Sequence, residues 1–291
     1  MLNIAVIGTG NMGAPMSINL AKAGHHVMAF DIVPEKMEPL KAHGIVAAED
    51  HRSAVVDADM ILTMLPTGVE VKEVFFKQAM EHAAAGSILV DSSTIDISDA
   101  HTVHAAAKDK GFLMIDAPVS GGTAGAAAGT LTFMVGGSEH ALRMASPALS
   151  AMGNRVVHCG DSGMGQAAKM CNNMMLGIQM ASVVEGFHLA RRVGLSNEKL
   201  YEVASSSSGN CFSLTAFCPV PGIVEVSPSN NDYRPGFSTD LMLKDMRLAL
   251  NAAQQRGLEL DMAPIAAGLY QQFSDDEHGD LDFSAIYKML E

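Results

Sequence analysis

The sequence predicts an α/β protein in which a doubly wound parallel sheet, residues 1–162, precedes an all-helical domain, residues 163–291. Three observations lead to this fold class. Short β-rich runs alternate with helical patterns through the first half, a glycine-rich turn joins the first run to the first helix, and the β pattern stops near Gly163. Such alternation is typical of parallel strands joined by crossover helices on both faces of a sheet.

The strands of the first half are predicted from short apolar runs that end in turn residues. In chain order these runs are LNIAVI, HVMAFD, MILTML, SILVDSS and FLMIDAPV, followed by FMVGG and RVVHCG. Helical patterns separate the first five runs, beginning near Met12, after Pro34, after Gly68 and after Asp96. The order strand, helix, strand therefore repeats from Met1 to about Asp116.

The second half is predicted to contain helices at 165–193, 196–206, 240–256, 263–275 and 283–290. An irregular segment rich in Pro, Ser and Asn, SGNCFSLTAFCPVPGIVEVSPSNNDYRPGF, separates the second helix from the third. It is long for a plain connection, so we expect a functional loop there. The glycines of Gly160–Gly165 are predicted to form the hinge between the two domains.

Composition narrows the class of protein. Of 291 residues, 48% are hydrophobic and 18% are charged, which predicts a globular chain with a sizeable core. The net charge of −13, without an extended basic run, argues against nucleic acid and anionic membranes as partners. The four cysteines lack CxxC spacing, and neither a signal peptide nor an apolar run long enough to span a membrane is evident. A cytoplasmic protein with reduced thiols is expected.

The turn after the first strand matches the pattern GxGxxG with Gly8, Gly10 and Gly13, and Asn11 and Met12 occupy its variable positions. Gly8 allows the tight turn, Gly10 lets a pyrophosphate approach the backbone, and Gly13 lets the helix pack against the strand. The alternative is a glycine-rich turn without a ligand. The position between a strand and a helix favours a dinucleotide site.

Asp31 ends the second predicted strand, about twenty residues after the glycine turn. An acid at this place accepts hydrogen bonds from the adenosine ribose and repels the 2′-phosphate of NADP. The residues that follow, Ile32, Val33 and Pro34, include no arginine. NAD is therefore predicted as the cofactor.

Lys169 is the only basic residue between Arg155 and Arg191, apart from His158 and His188, and it begins a long apolar helix. A helix places Asn172 and Asn173 on the same face as Lys169. A solvated surface lysine is one interpretation, since charged side chains are mostly exposed. A proton-transfer group is the other, provided that burial or a nearby cation lowers its pKa towards about 7 to 8. The sequence offers no zinc-ligand spacing that would do this work instead.

Four motifs in order along nearly the whole chain resemble the β-hydroxyacid dehydrogenase family. They are GTGNMGAPMSINL, DAPVSGGTAGAAAGTLTFMVGG, GMGQAAKMCNN and LMLKDMRLAL. The resemblance implies an NAD-binding Rossmann domain followed by an all-α domain, as in 6-phosphogluconate dehydrogenase. It also implies oxidation of a small β-hydroxyacid by hydride transfer to NAD.

The resemblance further implies roles for individual residues. Lys169 matches the catalytic lysine and Asn173 the substrate-binding asparagine. Three consecutive residues match the positions that hold the substrate carboxylate: Ser120, Gly121 and Gly122. Five more match positions around the cofactor: Leu65, Pro66, Glu70, Thr94 and Lys244. Lys244 could instead be a surface cation paired with its neighbour Asp245.

The expected substrate is 3-hydroxyisobutyrate, an intermediate of valine catabolism, oxidised to methylmalonate semialdehyde. The run CPVPG resembles that of family members acting on this acid, and Phe212, Phe217 and Val220 offer apolar contact for its methyl group. A reductase of tartronate semialdehyde or another small semialdehyde is the alternative within the family. A regulatory protein that senses nucleotides without catalysis is the alternative outside it. The helical half also predicts a homodimer or homotetramer.

Overall fold

The computed structural model describes residues 1–290, so Glu291, the last residue of the predicted helical domain, lies outside it. The chain divides into two units, Met1–Lys169 (unit 1) and Met170–Glu291 (unit 2). The division falls within one helix, Met164–Arg192. The domain boundary predicted between residues 162 and 163 stays a prediction.

Unit 1 contains one sheet, and its order follows the doubly wound pattern. The strands are Asn3–Ile7 (β1), His26–Phe30 (β2), Val46–Ala47 (β3), Met60–Thr63 (β4), Ile88–Asp91 (β5), Leu113–Asp116 (β6), Val119–Ser120 (β7), Leu131–Gly137 (β8) and Gly153–Gly160 (β9). The order is β3-β2-β1-β4-β5-β6-β8-β7, with β9 paired to β8. The first six of these are parallel, whereas β8 runs antiparallel to β6 and β7. The predicted parallel sheet is confirmed, and its far edge is mixed.

Strand β1 shows why these runs form a buried sheet. Ile4 and Val6 lie in the apolar core on one face, while Ala5 and Ile7 lie in the core on the other. Successive side chains of a strand point to opposite faces, so a run without polar residues requires cover on both sides. Helices supply that cover, as the alternating sequence predicts.

The helices of unit 1 are Gly13–Lys22 (α1), His51–Val55 (α2), Gly68–Val74 (α3), Met80–His82 (α4), Ile97–Asp109 (α5), Gly122–Ala128 (α6) and Glu139–Met152 (α7), with a π-helical segment at Phe75–Ala79. Three of the four helices predicted in unit 1, those near Met12, after Gly68 and after Asp96, are present, and three further helices, α2, α6 and α7, were not predicted. The helix expected after Pro34 forms two 3₁₀ turns instead, Pro34–Lys36 and Glu38–His43. Pro39 is one residue inside the second turn, where its missing N–H prevents a continuous α-helix.

Helix α8, Met164–Arg192, continues into unit 2, which is otherwise built from shorter helices. These are Asn197–Ser205 (α9), Phe212–Thr215 (α10), Thr239–Gln255 (α11) and Met262–Phe273 (α12), with 3₁₀ helices at Pro228–Asn231 and Phe283–Leu290 and a π-helical segment at Ser274–His278. The predicted helix at 283–290 is therefore present as a 3₁₀ helix. No helix among residues 1–290 is long and apolar enough to cross a membrane.

The irregular segment of unit 2 is held by its own hydrogen bonds. The hydroxyls of Ser227 and Ser229 donate to the carbonyl of Cys218 at 2.6 and 2.8 Å. The hydroxyl of Tyr233 donates to the carbonyl of Pro219 at 2.7 Å. Val220 is 4% exposed and belongs to the unit's apolar core. The segment is an ordered loop anchored by its Pro-Val-Pro run.

Candidate active site

The carboxyl ends of the parallel strands of unit 1 meet at one edge of the sheet, which we call the carboxyl edge. The glycine turn follows β1, Asp31 follows β2, Leu65 follows β4 and Thr94 follows β5. The chain order reverses between β1 and β4, and ligands of doubly wound sheets bind outside such a reversal. Residues predicted from separate motifs thus share one edge.

The three glycines of the turn differ in what an added Cβ would meet. Gly8 has a φ of +95°, and a Cβ there would collide with the carbonyl of Met64. A Cβ on Gly13 would collide with the carbonyl of Gly8, so only glycine lets α1 pack this close to the turn. A Cβ on Gly10 would meet nothing within 4 Å, so that face of the turn is open. These features fit a backbone that a pyrophosphate approaches.

Asp31 is 8% exposed and is bonded to the glycine turn itself. Its Oδ2 accepts from the backbone N–H of Thr9 at 2.8 Å, and its Oδ1 accepts from that of Val33 at 3.0 Å. The ammonium of Lys36 lies 3.6 Å from Oδ1. The carboxylate therefore helps to shape the turn as well as being available to a ribose, and Lys36 is a nearby cation that the sequence reasoning missed.

The loops after β4 and β5 are joined through Ser93. The backbone N–H of Leu65 donates to the Ser93 hydroxyl at 2.9 Å. Ser93 in turn donates its own backbone N–H to Asp91 Oδ1 at 3.0 Å, and the Thr63 hydroxyl donates to the same oxygen at 2.8 Å. Asp91, at the end of β5, thus organises both loops.

Asp91 is fully buried, and its Oδ2 has no hydrogen-bond partner among residues 1–290. Burial raises the pKa of its carboxyl group from 3.8 to about 6, against the lowering effect of the bonds from Ser93 and Thr63. The neighbouring carboxylate of Asp116, its register partner in β6, raises the pKa further. A buried acid of this kind at a strand end is typical of functional sites.

Asp116 caps the start of α8 from the neighbouring strand. Its Oδ1 accepts from the backbone N–H of Gly163 at 2.8 Å, and its Oδ2 accepts from that of Gln166 at 3.0 Å. His104 Nε2 lies 2.9 Å from Oδ1. Helix N-termini have N–H groups without intrahelical partners and favour a negative charge, so Asp116 anchors the helix that bears Lys169. A Cβ on Gly165 would lie 2.7 Å from Asp116 Oδ2, which explains the glycine in the motif.

Lys169 is 8% exposed, in the second turn of α8. Burial favours the interpretation of a proton-transfer group over that of a solvated surface lysine. Ser120 ends β7, and Gly121 and Gly122 follow with φ angles of +130° and +61°. Left-handed backbone at two successive residues suits glycine and turns their N–H groups away from the strand ladder.

Unit 2 contains Asn173 and Lys244. Asn173 is 2% exposed and donates from Nδ2 to Asp245 Oδ2 at 2.6 Å, while its Oδ1 accepts from Asn172 Nδ2 at 3.0 Å. Lys244 Nζ lies 3.7 Å from Asp245 Oδ1. Asp245, also 2% exposed, therefore orients Asn173 and pairs with Lys244. The ion pair considered from the sequence is present, but with a buried carboxylate, not on an open surface.

Of the remaining predicted residues, Pro66 and Thr94 lie on loops and Glu70 lies in the first turn of α3. Pro66 and Glu70 are exposed, and Thr94 is half-buried. The hydroxyl of Thr67 donates to Glu70, and this bond lowers the pKa of the Glu70 carboxyl group. No cluster of three or more His, Cys, Asp or Glu able to hold a metal ion occurs within residues 1–290.

Sequence reasoning missed the buried polar side chains that support the predicted site. They are Asp91, Ser93, Asp116 and Gln166. The sequence contained a pattern that could have indicated three of them. Asp91 and Asp116 are acids that end apolar strands, and Gln166 is three residues before Lys169 on the same helix face. Their partners could not be read from the sequence, because the bonds span up to 73 residues.

Comparison with known proteins agrees with this arrangement. Residues 3–160 match the family model of the NAD-binding domain of 6-phosphogluconate dehydrogenase. Residues 163–290 match that of the NAD-binding region of NADP-dependent 3-hydroxyisobutyrate dehydrogenase. A probable 3-hydroxyisobutyrate dehydrogenase of Mycobacterium tuberculosis is 48% identical, covering 100% of this chain and 98% of its own.

Two further relatives bear on the substrate. An NAD-dependent L-serine dehydrogenase of Pseudomonas aeruginosa is 42% identical and covers 100% of this chain and 98% of its own. A solved structure of Mycobacterium tuberculosis 3-hydroxyisobutyrate dehydrogenase with L-serine has a TM-score of 0.95 at 47% identity, covering 100% of this chain and 99% of that one. With two matching family models and full-length relatives, this chain belongs to the 3-hydroxyisobutyrate dehydrogenase family and has an NAD-binding domain at its N-terminus.

Proposed function

We propose that this chain oxidises 3-hydroxyisobutyrate to methylmalonate semialdehyde, the reaction of valine catabolism, with Lys169 as the proton-transfer group. The observation that carries the proposal is the burial of Lys169, 8% exposed, in a helix that Asp116 caps at its first turn. A lysine withdrawn from bulk water in this way is a candidate for general acid–base catalysis.

The cofactor supplies the hydride acceptor when bound. The open face at Gly10 and the partly satisfied carboxylate of Asp31 fit the pyrophosphate and ribose of NAD. We propose that the remaining contacts come from the carboxyl edge: Asn11 and Met12 in the turn, Gly13 at the start of α1, Leu65 and Pro66 after β4, Glu70 in α3 and Thr94 after β5. Lys244, in unit 2, is also proposed as a cofactor-binding residue. The ammonium of Lys36 lies 3.6 Å from Asp31 Oδ1, and we expect its charge to offset part of the repulsion between Asp31 and the 2′-phosphate of NADP.

Ser120, Gly121 and Gly122 are proposed to bind the substrate carboxylate through one hydroxyl and two backbone N–H groups. The positive φ angles of both glycines support this role, since consecutive N–H groups in such backbone form an anion-binding concavity. Asn173 is proposed to hydrogen-bond the substrate. Its orientation is set by Asp245, which accepts one amide proton at 2.6 Å and leaves the other for a ligand.

Oxidation of L-serine is a second candidate function. The two relatives that carry L-serine in their names are 42% and 47% identical to this chain over its full length. L-Serine has the same carboxylate, the same one-carbon spacing and the same primary alcohol as 3-hydroxyisobutyrate, with an ammonium in place of the methyl group.

The apolar contacts expected for the methyl group of 3-hydroxyisobutyrate are mostly internal to unit 2. Phe217 packs on Phe283, with 5.3 Å between ring centroids, and Val220 belongs to the apolar core. Phe212, 59% exposed, is the one of the three available to a ligand.

One panel tests the proposal. Purified protein is assayed with NAD and with NADP against 3-hydroxyisobutyrate, L-serine and D-glycerate, and kcat/KM is measured by formation of the reduced cofactor. We expect the highest value for 3-hydroxyisobutyrate with NAD. A higher kcat/KM for L-serine would make L-serine the proposed substrate. A higher kcat/KM for D-glycerate would favour a reductase of tartronate semialdehyde or another small semialdehyde. Tight NAD binding without turnover of any acid would favour a nucleotide sensor.

We also propose a homodimer or homotetramer in the cytoplasm. Exposed apolar side chains near the end of α8 support self-association, since Leu189 in the helix is 65% exposed and Val193, the residue after it, is 71% exposed. All four cysteines are free, which suits a reducing compartment. Light scattering of the purified protein gives the assembly directly, and a monomer at all concentrations would contradict it.

A further inference from the structure

The side chain of Gln166 holds the backbone on both sides of Thr94. Gln166 is 1% exposed, and its Oε1 accepts from the N–H of Ile95 at 3.1 Å. Its Nε2 donates to the carbonyl of Ser93 at 2.8 Å. The two bonds occupy the peptide groups immediately before and after Thr94. We call Gln166 with these two peptide groups the amide clamp.

The amide clamp is fixed on the helix side as well. The backbone N–H of Gln166 donates to Asp116 Oδ2, so the residue belongs to the turn that Asp116 caps. Lys169 follows three residues later, on the same face of a continuous helix. The rise per residue of an α-helix is fixed, so the distance along the axis between residues one turn apart is fixed as well. The position of Lys169 relative to the amide clamp is therefore set by the helix.

The amide clamp is fixed on the loop side by Ser93. Its hydroxyl accepts from Leu65 N–H, and its own N–H donates to Asp91, so the loop is bonded to two further segments before it reaches Thr94. A glutamine with both ends of its amide bonded to backbone is a rigid spacer between the loop and α8. Leucine at this position would fill similar volume but would leave Ser93 C=O and Ile95 N–H buried without partners.

We propose that Gln166 is a positioning residue, which sets the distance between the Thr94 loop and Lys169. This inference rests on the proposed function, in which Thr94 lies beside the nicotinamide and Lys169 moves the hydroxyl proton. Hydride and proton leave adjacent atoms of one substrate, so the groups that receive them must be held in a common geometry. Gln166 contacts neither the substrate nor the cofactor in this role and acts through the loop and the helix.

Replacement by leucine is the first test. In Gln166→Leu we expect kcat to fall about 10- to 100-fold, because a displacement of about 1 Å costs up to 10² in rate, while KM for NAD changes much less. The primary isotope effect on kcat, measured with substrate deuterated at the carbinol carbon, should rise as hydride transfer becomes limiting. A role confined to folding would lower the yield of active protein and leave kcat per active site and the isotope effect unchanged.

Replacement by glutamate gives a pH signature. Gln166→Glu keeps the acceptor for Ile95 N–H but presents a carboxylate oxygen to the carbonyl of Ser93. When protonated, the same carboxyl group can donate to that carbonyl. Burial raises the pKa of a carboxyl group, so its protonation falls within the assay range. We expect the kcat of Gln166→Glu, relative to wild type, to recover as pH falls, and a flat ratio would overturn the inference.

Ser87→Ala is the matched control. Ser87 is buried at the opposite end of β5, and its hydroxyl lies 2.6 Å from the carbonyl of Ala58. Loss of this bond should lower stability by a similar amount without changing the isotope effect or the pH profile. Wild-type kcat and isotope effect in Gln166→Leu would overturn the positioning role.

Amide hydrogen exchange of the cofactor-free protein separates this inference from the proposed function. In Gln166→Leu, exchange at Ile95 should accelerate at least tenfold, and in Ser87→Ala it should not. Unchanged exchange would overturn the amide clamp whatever the substrate is. If wild type turns over another acid of the panel instead of 3-hydroxyisobutyrate, the proposed function fails and the kinetic comparison is made with that acid.

Discussion

The carboxyl edge of unit 1 and the core of unit 2 are equally buried but are built from different chemistry. Asp91, Asp116 and Gln166 are at most 1% exposed and are joined by directional hydrogen bonds. Phe187, Tyr270 and Phe283 of unit 2 are also at most 1% exposed, and they pack in an apolar cluster. The first region is held by hydrogen bonds between buried polar groups, and the second mainly by the burial of apolar surface.

This difference predicts different consequences of mutation. A buried polar group depends on particular partners at particular angles, so its loss displaces neighbours or leaves charges unpaired. A buried apolar group depends on area and volume, so its loss lowers stability while the remaining geometry largely persists. Changes at the carboxyl edge should therefore alter activity, cofactor choice or pH dependence, and changes in the unit 2 core should alter stability.

The largest effect of any variant is expected for Lys169→Ala, in the helix that Asp116 caps at the carboxyl edge. Loss of a positioned general base typically costs about 10² to 10⁴ in rate, so kcat should fall by that factor. NAD affinity, measured by calorimetry, should change little because the lysine is assigned to the proton and not to the dinucleotide. The exposed Lys199→Ala is the control. Wild-type turnover by the Lys169 variant would remove the lysine from the mechanism.

Phe187→Ala probes the apolar region. Phe187 is 1% exposed on α8, and truncation of a buried phenylalanine costs about 3 to 5 kcal/mol in the free energy of unfolding. Denaturant titration measures this loss, with Val203→Ala, 61% exposed, as the control. We expect kcat per folded molecule to stay near the wild-type value. A fall in kcat comparable with that of Lys169→Ala would abolish the proposed contrast between the regions.

Asp91→Asn tests how much the negative charge of a buried carboxylate at the carboxyl edge lowers the free energy of unfolding. The pKa of Asp91 is raised from 3.8 to about 6, so the folded protein holds a proton that the unfolded chain has released. The unfolding free energy of wild type should therefore decrease by up to about 3 kcal/mol as pH rises from about 4 to about 6, and stay level above.

In Asp91→Asn this decrease should disappear, because the amide oxygen still accepts from Thr63 and Ser93 but has no proton to lose. Thermal unfolding at a series of pH values measures it, with the exposed Asp57→Asn as the control. Parallel curves for wild type and the Asp91 variant would contradict the burial of a charge at this position.

The smallest effect is expected for cofactor choice. Replacing Asp31 by Ser and Ile32 by Arg should shift kcat/KM towards NADP roughly tenfold, since a hydrogen bond to a charged group contributes about 1.5 kcal/mol or more. Ile32 is 83% exposed, so arginine there reaches solvent without repacking. The single variant Ile32→Arg measures the effect of the added cation on cofactor preference without the loss of the Asp31 carboxylate. Equal use of NAD and NADP by wild type would show that Asp31 does not discriminate.

Most strands and the main helices could be predicted in order from local patterns, namely strand alternation, helix periodicity and the glycine turn, whereas the short elements β3, α2, α6 and α7 were not predicted. Helix α8 was predicted at 165–193 and is observed at Met164–Arg192. The parallel sheet and helical second half followed from the same patterns. The site residues were named largely through family resemblance, since no local pattern assigns a role to Ser120 or Thr94.

Burial of the polar side chains and the identity of their hydrogen-bond partners depend on the tertiary structure. Lys169 could have been a surface lysine on its sequence alone, and its exposure depends on neighbours distant in the chain. Asp116 and Gln166 are 50 residues apart, and Gln166 reaches back 73 residues to Ser93. Hydrogen bonds over such separations depend on the packing of α8 against strand ends. Local patterns specify most elements, whereas the position of the first turns of α8 relative to the Thr94 loop depends on these long-range bonds.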